Sequence, residues 1–208
     1  MHAQIKASPD DTAENIQRIL NALSAAVLFT FSASAQELKL GSTVGDFTLQ
    51  DLQGKKVSYN SLKGDVTVVT WVSVQCPVSN DYNDRMNAVY NDYSKKGVKF
   101  IFLNSNSTEP ADAVASHAKS SGFAFPVYKD DGNVVADKFG AQVTPESFVM
   151  DKTGKIVYHG YIDDQRNLSK VTDQGLRNAL DAVLGGKAVA KAETKAFGCT
   201  LKRSRKAS

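Results

Sequence analysis

A reactive thiol is the first chemistry that this sequence suggests. Cys76 follows the apolar run VTVVTWVSV by one residue and precedes the segment PVSN. The β-branched run predicts a strand buried on both faces, and the pattern after Cys76 predicts a helix, so the thiol lies at their junction. Unpaired N–H groups in a first helical turn favour a thiolate and lower the pKa of a thiol below about 8.5. Cys76 is therefore a candidate nucleophile, and the alternative is a buried, inert cysteine.

The elements that must position Cys76 alternate between strand and helix. The helix after Cys76 is indicated by apolar residues at helical spacing, namely Tyr82, Met86, Val89 and Tyr93. The segment VKFIFL predicts a second buried strand, and STEPADAVASHAKSSG predicts a helix with Thr108 as N-cap, Pro110 in the first turn and Gly122 as C-cap. Strand, helix, strand and helix in this order indicate a parallel βαβ arrangement.

Further elements precede and follow this unit. Two short extended pieces around Gln53 and Gly54 predict an N-terminal β-hairpin. A short strand, a helix capped by Asn133 and two antiparallel strands joined by a turn at 151–154 come later, and a last helix capped by Thr172 ends at Gly185-Gly186. The sequence therefore predicts an α/β fold with a mixed central sheet, an N-terminal β-hairpin and flanking helices.

The charge and residue composition of the chain limit the kinds of partner and cofactor that we expect it to bind. The chain has 208 residues and a formal net charge of +3, part of which lies in the terminal segment LKRSRKAS. A short basic terminus is typical of a solvated tail, so we expect no nucleic-acid partner. No His, Cys and Asp cluster has metal-ligand spacing, so we expect no metal site, and the thiol chemistry requires no organic cofactor. The sequence does not specify an oligomeric state.

Residues 19–35 have the pattern of an export signal. The apolar run ILNALSAAVLFTFSASA follows Arg18 and closes with Ala33-Ser34-Ala35, which predicts a secretory signal cleaved after Ala35 and a periplasmic or extracellular protein. The segment before it is long and partly acidic, so an uncleaved amphipathic anchor is the alternative, and membrane contact is expected only through such an anchor. The predicted organisation is a signal over 1–35, one domain over 36–186, and a C-terminal arm over 187–208 that carries Cys199.

Three motifs together resemble the thioredoxin-like superfamily. They are a strand that ends near the aromatic Trp71, the segment CPVS that opens a helix, and a Thr144-Pro145 pair just before a β-hairpin. The pattern is similar to the redoxin group, which includes AhpC/TSA proteins and exported thiol-disulfide oxidoreductases, and it covers about Leu40 to Leu184. The resemblance implies a three-layer fold and a cis Pro145 that lies against the reactive cysteine. A trans proline at the first residue of a strand is the alternative.

The resemblance also implies site roles. Cys76 would be the nucleophile in disulfide exchange, and Thr144 and Pro145 would border the substrate groove. The other candidate substrate-binding residues are Ser73, Pro77 and Ser79. Thioredoxins carry a second cysteine three residues after the first, but Ser79 occupies that position here, so CPVS cannot form a local disulfide. Trp71 is a further candidate beside the cysteine, although core packing explains it equally well.

Cys199, in ETKAFGCTLKR, is the other thiol of the chain. A flexible C-terminal arm could bring it back to Cys76, where it would act as the resolving cysteine through a mixed disulfide or a sulfenate. A permanent structural disulfide and an unpaired thiol are the alternatives. The expected partner is a protein or small-molecule disulfide or thiol, or a peroxide.

Two other functions stay open on the sequence alone. Peroxiredoxins place a Thr or Ser three residues before their peroxidatic cysteine, and Ser73 matches this position, so a thiol peroxidase is one alternative. The proline expected seven residues before the cysteine is Val69, and the expected arginine aligns with Pro145. Arg85 or Arg166 would then have to bind the peroxide. A non-catalytic binding module with a structural disulfide is the other alternative.

Overall fold

The computed structural model describes residues 37–204. The predicted signal over residues 1–35 and its cleavage after Ala35 lie outside the described residues, as does the end of the basic tail. Within the described part, no helix is both long and apolar enough to span a membrane.

Short strands and helices alternate along most of the domain. The strands are β1 (Thr48–Gln50), β2 (Lys56–Ser58), β3 (Thr67–Trp71), β4 (Lys99–Asn104), β5 (Val127–Lys129), β6 (Val143–Thr144), β7 (Glu146–Met150), β8 (Ile156–Gly160) and β9 (Cys199–Thr200). The α-helices are α1 (Tyr59–Leu62), α2 (Pro77–Asp81), α3 (Asn83–Ser94), α4 (Ala111–Ser120), α5 (Val134–Phe139) and α6 (Gly175–Leu184). Single 3-10 turns occur at Asp131–Asn133 and Leu168–Lys170.

One mixed sheet forms the centre of the domain, with strand order β2-β1-β5-β4-β3-β7-β8. Strands β3, β4 and β5 are parallel, as the predicted βαβ order requires, and the remaining pairs of the sheet are antiparallel. The N-terminal hairpin β1-β2 forms one edge, and the hairpin β7-β8 forms the other. The predicted α/β fold with a mixed sheet, an N-terminal hairpin and flanking helices is confirmed.

The central strands are buried on both faces because successive side chains point to opposite sides of the sheet. Val68 packs into a core beneath α3 and α6, whereas Val69 and Trp71 pack into a second core beneath α1 and α5. The single helix predicted after Cys76 is two helices in the structure, α2 and α3, which meet at Tyr82. The predicted apolar face still points inward, and Met86 of α3 is 2% exposed. The carboxyl ends of β3 and β4 therefore emerge side by side between two layers of helices.

Two predicted helix starts are wrong. Helix α4 begins at Ala111 with Pro110 at the N-cap, so Thr108 lies outside it. Helix α6 has Gln174 at the N-cap rather than Thr172, because the Thr172 hydroxyl donates a hydrogen bond to Asp164 in the preceding loop. The predicted C-cap Gly122 lies one residue beyond the observed cap and has a left-handed φ of +60°.

Candidate active site

Cys76 is the N-cap of the short helix α2. Its extended backbone (φ −85°, ψ 112°) places Pro77 at the first helical position, where a missing N–H costs no hydrogen bond. The Ser79 N–H donates a hydrogen bond of 3.2 Å to the Cys76 sulfur. The sulfur therefore takes the place that a capping oxygen occupies in most helices, and the side chain is only 2% exposed.

The Thr144-Pro145 peptide covers the sulfur from the other side. This peptide bond is cis, as predicted, and the Cys76 thiol donates a hydrogen bond of 3.3 Å to the Thr144 carbonyl. The Thr144 hydroxyl is buried and has no hydrogen-bond partner of normal geometry in the described chain. It still lies close enough to the sulfur to favour the thiolate. Thr144 therefore contacts Cys76 through its backbone and approaches it through its side chain.

Cys199 lies next to Cys76 because the C-terminal arm docks against β6. Strand β9 pairs antiparallel with β6 and sets Cys199 opposite Thr144, and the Leu201 N–H donates a 2.9 Å hydrogen bond to the Gln142 carbonyl. Gly198 allows this approach, because a Cβ there would lie 2.0 Å from the Thr144 carbonyl oxygen. Both cysteines are free thiols, and Cys199 is partly exposed. The arm thus brings Cys199 back to Cys76, as the sequence suggested.

The two thiols differ in acidity. Burial raises the pKa of Cys76, but hydrogen bonds from the Cys199 thiol and from the Ser79 N–H outweigh burial, with help from Thr144 and the Cys199 N–H, so its pKa is below the ordinary value. The pKa of Cys199 is raised, first because its thiol hydrogen-bonds to Cys76 and second because it is partly buried. Of the two thiols, Cys76 is therefore the one that ionises more readily.

Glu109 organises the loop between β3 and Cys76, and the sequence analysis did not identify it. Its side chain is 2% exposed and accepts hydrogen bonds from the Val74 N–H (3.0 Å), the Gln75 N–H (2.9 Å) and the Ser73 hydroxyl (2.6 Å). The Ser73 oxygen in turn accepts the Cys76 N–H at 3.1 Å. An acidic residue shortly after β4, the parallel neighbour of β3, was the available signal, because the carboxyl ends of parallel strands lie together.

The serines of the predicted site have structural partners. Ser73 donates its only hydroxyl proton to Glu109, and its N–H donates to the Ser79 oxygen at 3.1 Å. Trp71 is fully buried, packs against Phe148 in the second core, and donates its indole N–H to the Ser105 hydroxyl. It is therefore a core residue, as the alternative interpretation expected. Pro77 is exposed on the surface beside Cys76.

The two arginines considered for a peroxide site already have acidic partners. Arg85 forms an ion pair of 2.8 Å with Asp163, in which both side chains are largely buried. Arg166 forms a more exposed ion pair with Asp81. The hydrogen bond and the charge of Asp81 raise the pKa of Arg166, and the neighbouring Cys76 and Cys199 add to this rise. Within residues 37–204, no group of three or more His, Cys, Asp or Glu side chains is arranged to hold a metal ion.

Comparisons with known proteins agree with this geometry. The AhpC/TSA family model matches residues 40–159. The thiol-disulfide oxidoreductase ResA of Bacillus thuringiensis is 34% identical over 143 residues, which are 67% of this chain and 82% of ResA.

Two solved structures share the fold and are more than 30% identical. A conserved protein of Geobacillus kaustophilus has 31% identity and a TM-score of 0.76, and the match covers 83% of this chain and 96% of that one. A protein of Sinorhizobium meliloti has 32% identity and a TM-score of 0.74, with coverage of 81% and 97%. The chain therefore belongs to the AhpC/TSA family, and it is a thiol-based oxidoreductase with a thioredoxin-like fold.

Proposed function

We propose that this protein exchanges disulfides through Cys76, with Cys199 as the resolving thiol. The register of β9 against β6 carries this proposal, because it sets Cys199 opposite Thr144, whose carbonyl accepts the Cys76 thiol proton. One thiol with a lowered pKa beside another with a raised pKa is the arrangement that an attacking and a resolving cysteine require. The name of ResA supports the same reaction class.

The exchange proceeds in two displacements. The Cys76 thiolate attacks one sulfur of a substrate disulfide, the substrate S–S bond breaks, and one half leaves as a thiolate while the other stays bound to Cys76. Cys199 then loses its proton and attacks the Cys76 sulfur, which releases the second half as a thiolate and forms the Cys76–Cys199 disulfide. Two electrons pass from the protein to the substrate, and the reverse sequence oxidises a dithiol.

The surroundings of the sulfur assign roles to the neighbouring residues. The Ser79 N–H stabilises the thiolate, and Thr144 and Pro145 form the wall beside it. Pro77 and Cys199 are the accessible surface next to the buried sulfur, so a disulfide or thiol partner meets the protein there.

A thiol peroxidase is the second candidate, and a specific contact makes disulfide exchange the better proposal. In a peroxide site Ser73 would donate a hydrogen bond to the peroxide, but its only proton is donated to Glu109. Arg85 is held by the largely buried carboxylate of Asp163. A non-catalytic module is also less favoured, because the lowered pKa of Cys76 is typical of a reactive thiol.

The export signal and the domain limits belong to the same proposal. The apolar run 19–35, with its small residues at the end, supports cleavage after Ala35 and a periplasmic or extracellular location. The mature protein would then consist of the redoxin domain over 36–186 and the arm over 187–208. Mass spectrometry of the N-terminus of the protein recovered outside the cytoplasm tests this assignment.

The two single cysteine variants test the exchange reaction. The reduced mature protein is mixed with a small aliphatic disulfide, and intact mass reports each covalent species over time. We expect the wild type to lose two hydrogens as Cys76 and Cys199 join, Cys199→Ser to accumulate a mixed disulfide on Cys76, and Cys76→Ser to form neither product. A Cys199→Ser protein that forms no adduct would overturn the proposal, and rapid consumption of hydrogen peroxide with no exchange would favour the peroxidase.

A further inference from the structure

The Glu109 carboxylate lies at the centre of a buried hydrogen-bond network behind the nucleophile. Besides the contacts to Ser73, Val74 and Gln75, its Oε2 accepts a hydrogen bond of 2.5 Å from the side-chain amide of Asn104. Burial raises the pKa of Glu109, but these four hydrogen bonds outweigh burial and lower it. Glu109 is therefore an anion at neutral pH, with both oxygens saturated by donors.

The loop 73–76 has few other partners for its backbone donors. β3 ends at Trp71, the Val72 N–H makes the last ladder-like bond to Leu103, and the next N–H groups lie beyond the neighbouring strand. An N–H that is shielded from water and has no partner destabilises the fold, so the loop needs an acceptor from elsewhere in the protein. Glu109 accepts two of these N–H groups directly and reaches Cys76 through the Ser73 hydroxyl.

The carboxylate is itself fixed from the opposite side. The buried ammonium of Lys129 on β5 donates to the Glu109 backbone carbonyl at 2.7 Å and to the Asn104 side-chain oxygen at 2.7 Å. Asn104 at the end of β4 thus joins Lys129 to the Glu109 carboxylate. A continuous chain of hydrogen bonds runs from β5 through β4 to the Cys76 N–H.

We propose that Glu109 is a positioning residue for the nucleophile: through Ser73 and the loop N–H groups, it holds Cys76 where Ser79 and Cys199 can donate to its sulfur. This inference deepens the proposed function and depends on Cys76 being the reactive thiol. Glu109 does not contact the sulfur, and its effect passes through the loop geometry.

Charge and geometry predict opposite signs for the same substitution. A buried anion near a thiolate repels it, so removing the charge alone would lower the pKa of Cys76. Glu109→Gln keeps the size of the side chain, but the new NH2 group faces N–H donors of the loop and cannot accept hydrogen bonds from them. The loop must therefore shift, which moves the Ser79 and Cys199 donors away from the Cys76 sulfur. A positioning role therefore predicts a rise in the pKa of Cys76, and a role in stability alone predicts no change.

The experiment follows alkylation of Cys76 in the reduced full chain against pH, with peptide mass spectrometry separating the two cysteines. We expect Glu109→Gln to slow alkylation about tenfold at a pH well below the pKa of Cys76, which corresponds to a rise of about one pKa unit. The matched control is Asp130→Asn. Asp130 is also a buried carboxylate that accepts two backbone N–H groups (Val135 and Ala136) and a serine hydroxyl, and none of these three bonds is made to the loop 73–76. This control should lose stability without changing the pH profile.

Other outcomes separate the possibilities. An unchanged or faster rate in Glu109→Gln would overturn the positioning role. If that variant does not fold, Ser73→Ala decides. It removes the hydroxyl that connects the Glu109 carboxylate to the Cys76 N–H and keeps the bonds from the Val74 and Gln75 N–H groups. About threefold slower alkylation is expected, and no change would overturn the inference. A wild-type Cys76 with an ordinary pKa would instead overturn the proposed function.

Discussion

Replacing Cys199 with alanine tests how far the arm controls the acidity of Cys76. The Cys199 thiol lies beside the Cys76 sulfur and, together with the Ser79 N–H, lowers its pKa. Cys199→Ala removes that donor and leaves the backbone of β9, its pairing with Thr144 and the Cys199 N–H position in place. The substitution therefore changes a single interaction with the thiolate.

The size of the effect follows from that one hydrogen bond. A hydrogen bond to a charged group contributes about 1.5–3 kcal/mol, and we take the lower limit because Cys199 is partly exposed and water can replace it. About 1.4 kcal/mol is one pKa unit. The bond favours the thiolate, so its loss raises the pKa of Cys76, by about one unit in Cys199→Ala. At any pH well below the pKa of Cys76, the thiolate fraction then falls about tenfold.

The assay is the thiolate ultraviolet absorbance of each variant against pH, with Cys199→Ser as the matched control. The serine hydroxyl can still donate to the sulfur, so we expect it to shift the pKa of Cys76 by less than alanine does. Equal shifts in the two variants would refute the role of the donor, and no shift in either would refute the contact itself. Conversely, Cys76→Ala should lower the pKa of Cys199, because the hydrogen bond to Cys76 is the main cause of its rise and the charge of Cys76 adds to it.

Two further predictions concern the arm and the helix layer. Gly198→Ala places a Cβ 2.0 Å from the Thr144 carbonyl oxygen at a φ of +151°, so β9 must move, and we expect Cys199 to close the disulfide about tenfold more slowly by quenched mass spectrometry. Equal rates in Gly198→Ala and wild type would contradict the observed pairing. Arg85→Leu leaves the buried Asp163 carboxylate without its cation and should lower the free energy of unfolding by about 3–5 kcal/mol in urea titrations. A loss below about 1 kcal/mol would mean that water replaces the cation.

Much of the fold could be predicted because its elements have strong local signals. The β-branched run around Val68 and Val69 indicates a strand buried on both faces, and Met86 with Val89 indicates the buried face of a helix. The first residues of the helices were harder to predict from the sequence. Thr108 has the right residue type for an N-cap, but Pro110 sets the start of α4, which local residue preferences did not resolve.

The site was only partly predictable for a different reason. Cys76 could be placed because a strand-to-helix junction is a local feature. The contact of Glu109 with the Cys76 loop depends on which strands are neighbours, and the approach of Cys199 depends on the register of β9 against β6. Neither is encoded in the residues around Cys76. The glycine just before Cys199 was the available local hint, since Gly198 permits the close contact with Thr144.

Ser79 occupies the position that holds a second cysteine in thioredoxins, and here it has a structural role. Ser79 donates its N–H to the Cys76 sulfur, and its hydroxyl accepts the Ser73 N–H, so both polar groups already support the loop and the thiolate. The resolving thiol arrives instead on β9, from the far end of the chain. Thiolate formation therefore depends on α2 and its loop as well as on Cys199, whereas resolution depends entirely on docking of the arm. Because these are separate structural elements, a substitution in the arm can block disulfide closure while Cys76 still forms a mixed disulfide.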